Sequence, residues 1–126
     1  MMQDKKKILI VEDELSLLKV LELKFENEGF QVFTTTNGED GLELALQNEP
    51  DIILLDIIMP KMDGITMLKK LRETSYGKGA NVIILTNLSD SHAVEESMKA
   101  GVFDYLIKND WKLDAVVDKV KAVLRV

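Results

Sequence analysis

The chain predicts an open, doubly wound α/β fold in which five parallel strands alternate with five helices lying on two faces of the sheet. Three observations carry this. Short apolar runs alternate with longer stretches at helical spacing, the pattern of a parallel sheet covered on both sides. Two runs end in carboxylates, Lys7-Ile8-Leu9-Ile10-Val11-Glu12-Asp13 and Asp51-Ile52-Ile53-Leu54-Leu55-Asp56. At 126 residues, the chain can bury one sizeable core and is too short for two ordinary ones, so residues 1–126 are expected to form one domain.

The strands read as Ile8 to Val11, Gln31 to Thr35, Ile52 to Leu55, Val82 to Thr86 and Asp104 to Ile107. Between the first two, Leu18, Leu21 and Phe25 mark a helical stripe, and Gly29 sits where that helix should stop. Thr36-x-x-Glu39 fits a capping box ahead of a second stripe, Leu42, Ala45 and Leu46. Asp63 can cap a third helix, carrying Met67, Leu68 and Leu71, and Ser89 can cap a fourth that stops near Gly101. The segment Ser75 to Ala80, with Gly77 and Gly79, reads as a flexible loop. A last helix is expected from Trp111 to Leu124.

Composition excludes several functions. A net charge of −6 argues against binding a phosphate backbone, so no direct nucleic-acid contact is expected. With no cysteine and His92 as the only histidine, any bound metal must be held by oxygen. The run Lys5-Lys6-Lys7 precedes an apolar stretch far shorter than a signal-peptide core or a membrane span. A cytoplasmic protein without membrane contact is expected.

In a doubly wound sheet, ligands collect at the carboxyl ends of the strands near the switch in winding direction. Glu12, Asp13, Asp56, Thr86 and Lys108 all fall at those ends. Two carboxylates about 4 Å apart repel by roughly 4 kcal/mol at an effective dielectric of about 20, so a cluster of three needs counter-charge. Lys108 supplies one positive charge and a hard divalent cation the rest. Magnesium suits the site, because it takes oxygen ligands and keeps several waters. Asp13 and Asp56 are expected as direct ligands, with Glu12 acting through water.

These residues resemble the receiver domain of two-component response regulators along essentially the whole chain. The resemblance rests on Val11-Glu12-Asp13, Leu54-Leu55-Asp56, Met59-Pro60-x-x-Asp63-Gly64, Thr86 and Tyr105-Leu106-Ile107-Lys108. It implies the flavodoxin-like strand order 2-1-3-4-5, of which the chemotaxis receiver is itself a standard instance. It also implies phosphoryl transfer from a sensor histidine kinase or phosphotransfer protein to Asp56, magnesium held additionally by the Ile58 backbone carbonyl, and catalysis limited to the domain's own phosphorylation and slow dephosphorylation. Lys108 and Thr86 would contact the phosphoryl group, and Thr86 with Tyr105 would form the switch. The implied output face lies around Lys99, Asp104, Tyr105 and Lys119, toward a downstream protein or an output domain. The domain is expected either to act alone on a partner or to belong to a longer regulator.

The chain departs from the family at Asn109, where proline usually follows the lysine, and at Asn87, where a small residue usually follows the threonine. A trans peptide is expected before Asn109, since a cis bond there costs about 3 kcal/mol. Ile58 and Leu88 replace polar side chains that help orient water in the family, which implies a long-lived phosphoryl group. Ile57, Met59 and Met62 read equally as an apolar rim for a kinase domain or as buried loop anchors. His92 reads as a solvent-facing helix residue and Trp111 as a cover over the core. A flavin mononucleotide carrier is disfavoured by acids where hydroxyl and amide donors are needed, and an aspartyl-phosphate phosphatase by Ile58 in place of a second aspartate. The remaining alternative is a receiver-like interaction module not regulated by phosphorylation.

Overall fold

The computed structural model describes residues 5–57, 59–86, 92, 95, 99, 101, 104–107 and 112–126, with backbone alone for Thr86 and 104–107. Five parallel strands form one sheet: β1 (Lys7–Val11), β2 (Gln31–Thr35), β3 (Ile52–Asp56), β4 (Val82–Thr86) and β5 (Asp104–Ile107), in the order β2-β1-β3-β4-β5. Four α-helices have described bounds: α1 (Leu15–Asn27), α2 (Gly38–Asn48), α3 (Gly64–Arg72) and α4 (Leu113–Leu124). Of the helix expected between β4 and β5, His92, Glu95 and Lys99 are described, each helical and exposed. Ser89 lies outside the described residues.

Strand alternation sorts the core into two layers. Ile8, Ile10, Ile52, Leu54, Ile83 and Leu85 pack with Leu18, Leu21 and Phe25 of α1 and Val116, Val117 and Val120 of α4. Leu9, Val11, Ile53, Leu55, Val82 and Ile84 pack with Ala45 of α2 and Met67, Leu68 and Leu71 of α3. Helices thus cover both faces, and the three inner strands are apolar on each side, as fully buried parallel strands must be.

Local chemistry corrects several sequence expectations. β3 runs on through Asp56, so that carboxylate ends the strand rather than following it. The cap of α2 is Asn37, one residue beyond Thr36: its Oδ1 accepts the Asp40 amide at 2.9 Å and its Nδ2 donates to Asp40 Oδ2 at 3.0 Å. Asparagine caps at least as well as threonine, and this register turns Gly38, Gly41 and Ala45 inward while Leu46 is 42% exposed. Asp63 does cap α3, accepting the Thr66 amide at 2.8 Å. α4 starts at Leu113, two residues after the expected start at Trp111, which lies outside the described residues.

The segment Ser75 to Ala80 is not a free loop. It holds a short 3-10 turn, Gly77–Gly79, tied down by Arg72, whose Nη1 donates to the carbonyls of Gly77 at 2.6 Å and Ala80 at 2.8 Å. Arg72 Nη2 also donates to the Gly101 carbonyl. A side chain on Gly77 would collide with the Leu71 carbonyl, so this glycine marks close approach rather than flexibility.

Candidate functional site

The register of the sheet builds the site. Val11 of β1 lies level with Leu55 of β3, so Glu12 and Asp56 emerge one step later, side by side on adjacent strands. Asp56 in turn lies level with Leu85, placing Thr86 one step on, and Thr86 lies level with Ile107. β1 and β3 are the strands between which the winding changes direction, because β2 is added on one side of β1 and β3 on the other. In doubly wound sheets the strand ends at such a switch form the crevice where ligands bind.

Three carboxylates meet at that crevice. One oxygen each of Glu12, Asp13 and Asp56 lies within 4.8 Å of the others. Glu12 is fully buried, Asp56 is 5% exposed, and Asp13 is exposed. Ligands of an octahedral magnesium ion lie about 3.0 Å apart when adjacent and about 4.2 Å apart when opposite, both inside that 4.8 Å limit. The donor set is all oxygen and hard, and its formal charge is high for its burial. These residues fit a small divalent cation.

Glu12 has a second duty. Its Oε2 accepts the Glu14 amide at 3.0 Å, just ahead of α1, whose own cap residue Glu14 makes no side-chain bond. Glu12 thus serves both the start of α1 and the acidic cluster.

The loop after Asp56 is fastened at each turn. Gly64 N–H donates to Ile57 O at 2.7 Å, Met62 N–H to Pro60 O at 2.8 Å, and Gly38 N–H of α2 to Met62 O at 3.0 Å. Lys61, at the centre of the tight Pro60–Met62 turn, has φ +67°. Ile57 and Met59 are buried in the core layer beneath, and Met62 packs against it. Of the two readings the sequence left open for this loop, Ile57 and Met59 take that of buried anchors.

Sequence reasoning missed Gly38, whose amide bonds to the site loop, and Asn37, which caps the helix that begins there. The Asn-Gly pair was the available signal, since it marks a turn needing close approach. Of the other expected site residues, Ile58, Asn87, Leu88, Lys108 and Asn109 lie outside the described residues, and Thr86 and Tyr105 are placed by backbone alone.

Residues 8–121 match the response regulator receiver domain. The chain belongs to that family. This receiver domain is 34% identical over 118 residues to the response regulator ArlR of Staphylococcus aureus, covering 94% of this chain and 52% of ArlR. The chain thus spans about half the length of that curated relative. Its fold resembles the signal receiver domain of a signal transduction histidine kinase from Syntrophus aciditrophicus, with TM-score 0.85, 32% identity, and 95% and 90% of the two chains covered. It also resembles the receiver domain of the sensor histidine kinase PA1611 of Pseudomonas aeruginosa, with TM-score 0.85, 26% identity, and coverage of 94% and 97%. That structure has a magnesium ion coordinated in its active-site cleft. Receiver domains therefore occur in kinases as well as regulators among its relatives. Among the described residues, no helix is long and apolar enough to cross a membrane.

Proposed function

We propose that this receiver domain is a phosphorylation-controlled switch that takes a phosphoryl group onto Asp56 from a histidine kinase or phosphotransfer protein. The observation that carries the reading is the meeting of Glu12, Asp13 and Asp56 at the winding switch, with Asp56 nearly buried at the end of a central strand. Burial fixes the carboxylate's direction, which in-line attack on phosphorus requires.

Asp13, Asp56 and the Ile58 carbonyl would hold magnesium directly, and Glu12 through water. When bound, the ion neutralises the acids and the phosphoryl oxygens. The Asp56 oxygen forms a bond to phosphorus as the phosphorus–nitrogen bond of the donor breaks, the imidazole nitrogen keeping the electron pair. Lys108 pairs with a phosphoryl oxygen and Thr86 donates its hydroxyl to another. Tyr105 then turns inward, changing the face that carries Lys99, Asp104, Tyr105 and Lys119 toward a downstream protein or output domain. The domain catalyses only its own phosphorylation and slow dephosphorylation, acts in the cytoplasm, and makes no nucleic-acid or membrane contact. Apolar Ile58 and Leu88 provide no base for an attacking water, so the phosphoryl group is expected to persist for minutes or longer; loss within seconds in magnesium buffer refutes this.

Intact-mass measurement after incubation with acetyl phosphate tests the reading. Wild type should gain one phosphate with magnesium and none without it, and Asp56→Asn should gain none in either case. A wild type that stays unmodified would instead indicate an interaction module independent of phosphorylation.

A further inference from the structure

We infer that the β2–α2 junction, and Gly38 in particular, positions the magnesium site although it contributes no ligand. The inference rests on the reading of Glu12, Asp13 and Asp56 as that site. Two acid-bearing segments lean on this junction through backbone alone. On one side, Glu12 N–H donates to Thr35 O at 3.1 Å; on the other, Gly38 N–H donates to Met62 O at 3.0 Å. Residues 35–38 therefore bridge the loop that carries Glu12 and Asp13 to the loop that follows Asp56.

The bridge has no slack at Gly38. A Cβ there would lie 2.2 Å from the Met62 carbonyl oxygen and 2.9 Å from its carbon, both backbone atoms. Met62 cannot easily retreat. It is held between the tight turn at Lys61 and Asp63, which caps α3, and the loop is closed by the Gly64 bond to Ile57, the residue next to Asp56. Gly64 is itself pressed against the Asp56 carbonyl, where an added Cβ would come within 2.1 Å. A methyl group on Gly38 therefore pushes the loop toward the end of β3, displacing the backbone on which the ligands are mounted.

Gly38 is also the first residue of α2, where alanine is a better helix former than glycine. Propensity then offsets part of the steric cost to stability while leaving the displacement in place. Asn37→Ala is the matching control. It removes the cap of the same helix but adds no atom near Met62.

Magnesium titration by calorimetry, with urea unfolding in chelator, separates the two effects. Gly38→Ala should weaken magnesium binding about tenfold or more, the usual scale for residues that support metal ligands, while Asn37→Ala, though less stable, should stay within about twofold of wild type. Equal losses in the two variants, or none in Gly38→Ala, overturn the inference. A second measurement needs no variant. Binding and support are reciprocal, so saturating magnesium should slow hydrogen exchange at the Gly38 amide of wild type and leave the Ala80 amide unchanged; unchanged Gly38 protection overturns it equally. If wild type binds no magnesium at all, the reading of the acids fails and the inference falls with it; if wild type binds and Gly38→Ala binds as well, only the inference fails.

Discussion

Asp56 and Glu12 owe their placement to apolar neighbours rather than to polar ones. Each follows a run of fully buried strand residues, Ile52 to Leu55 and Ile8 to Val11, so the core fixes where the carboxylates emerge. Tyr76 shows the opposite dependence, a titrating group set by what surrounds it. Its phenol donates to the Pro50 carbonyl at 2.6 Å, and burial, with the negative charges of Asp51 and Glu49, pushes its pKa up to about 12. The unfolded chain releases that proton near 10. The stability carried by this group is therefore whole below pH 10 and is lost as pH rises through 12. Tyrosinate absorbance should show one late-titrating tyrosine that disappears in Tyr76→Phe, and the alkaline loss of stability measured by urea unfolding should shrink in the same variant.

At the level of elements, helix ends are where local chemistry is clearest. α1 closes with the Gly29 amide bonded to Glu26 O and the Phe30 amide to Phe25 O, both at 3.0 Å, and the two phenylalanine rings meet edge to face at 5.2 Å. This is a Schellman ending with its apolar contact. Gly29 has φ +93° and open space around a would-be Cβ. Gly29→Ala should thus cost about 1–2 kcal/mol in unfolding free energy, from backbone conformation alone. A cost near zero would mean that the αL requirement is relieved by a shift of the α1 end. Asn37→Ala should cost about 1 kcal/mol through the lost cap, measured in the same way.

Across the whole molecule, the acidic crevice opposes the core that creates it. Three carboxylates held within 4.8 Å repel one another in the absence of a cation. Asp13→Asn should therefore raise stability in chelator by about 1 kcal/mol, since one exposed charge is removed from the cluster. The same change should abolish the rise in melting temperature that magnesium gives wild type by mass action. A destabilised Asp13→Asn would show that the acids are already balanced by charges in the protein. Far from the crevice, α1 and α4 are joined by Lys24–Asp114 at 2.9 Å and Lys121–Glu28 at 2.6 Å. The hydrogen bond and charge of Lys121 hold the Glu28 carboxyl below the usual range. Its contribution is present at neutral pH and fades as pH falls through that lowered value. Both side chains are half-buried at the surface, so added salt should weaken the pair in part.

The amino-acid sequence by itself determined the class of fold, the alternation of strands and helices, and the three acids. Each of these is written in local periodicity or in motif order: Ile8 to Val11 and Ile52 to Leu55 are strands wherever they are placed, and the acids follow them directly. Only the tertiary structure decided how far apart the acids sit, because that distance depends on the register between β1 and β3. It also decided that Ile57 and Met59 are anchors, that Asn37 rather than Thr36 caps α2, and that Ser75 to Ala80 is bolted down by Arg72. These turn on contacts between segments distant in the chain, Gly38 with Met62 and Arg72 with Gly101. A local pattern can nominate a glycine or an arginine, but which backbone will lie against it is settled by the packing of the two layers on the sheet.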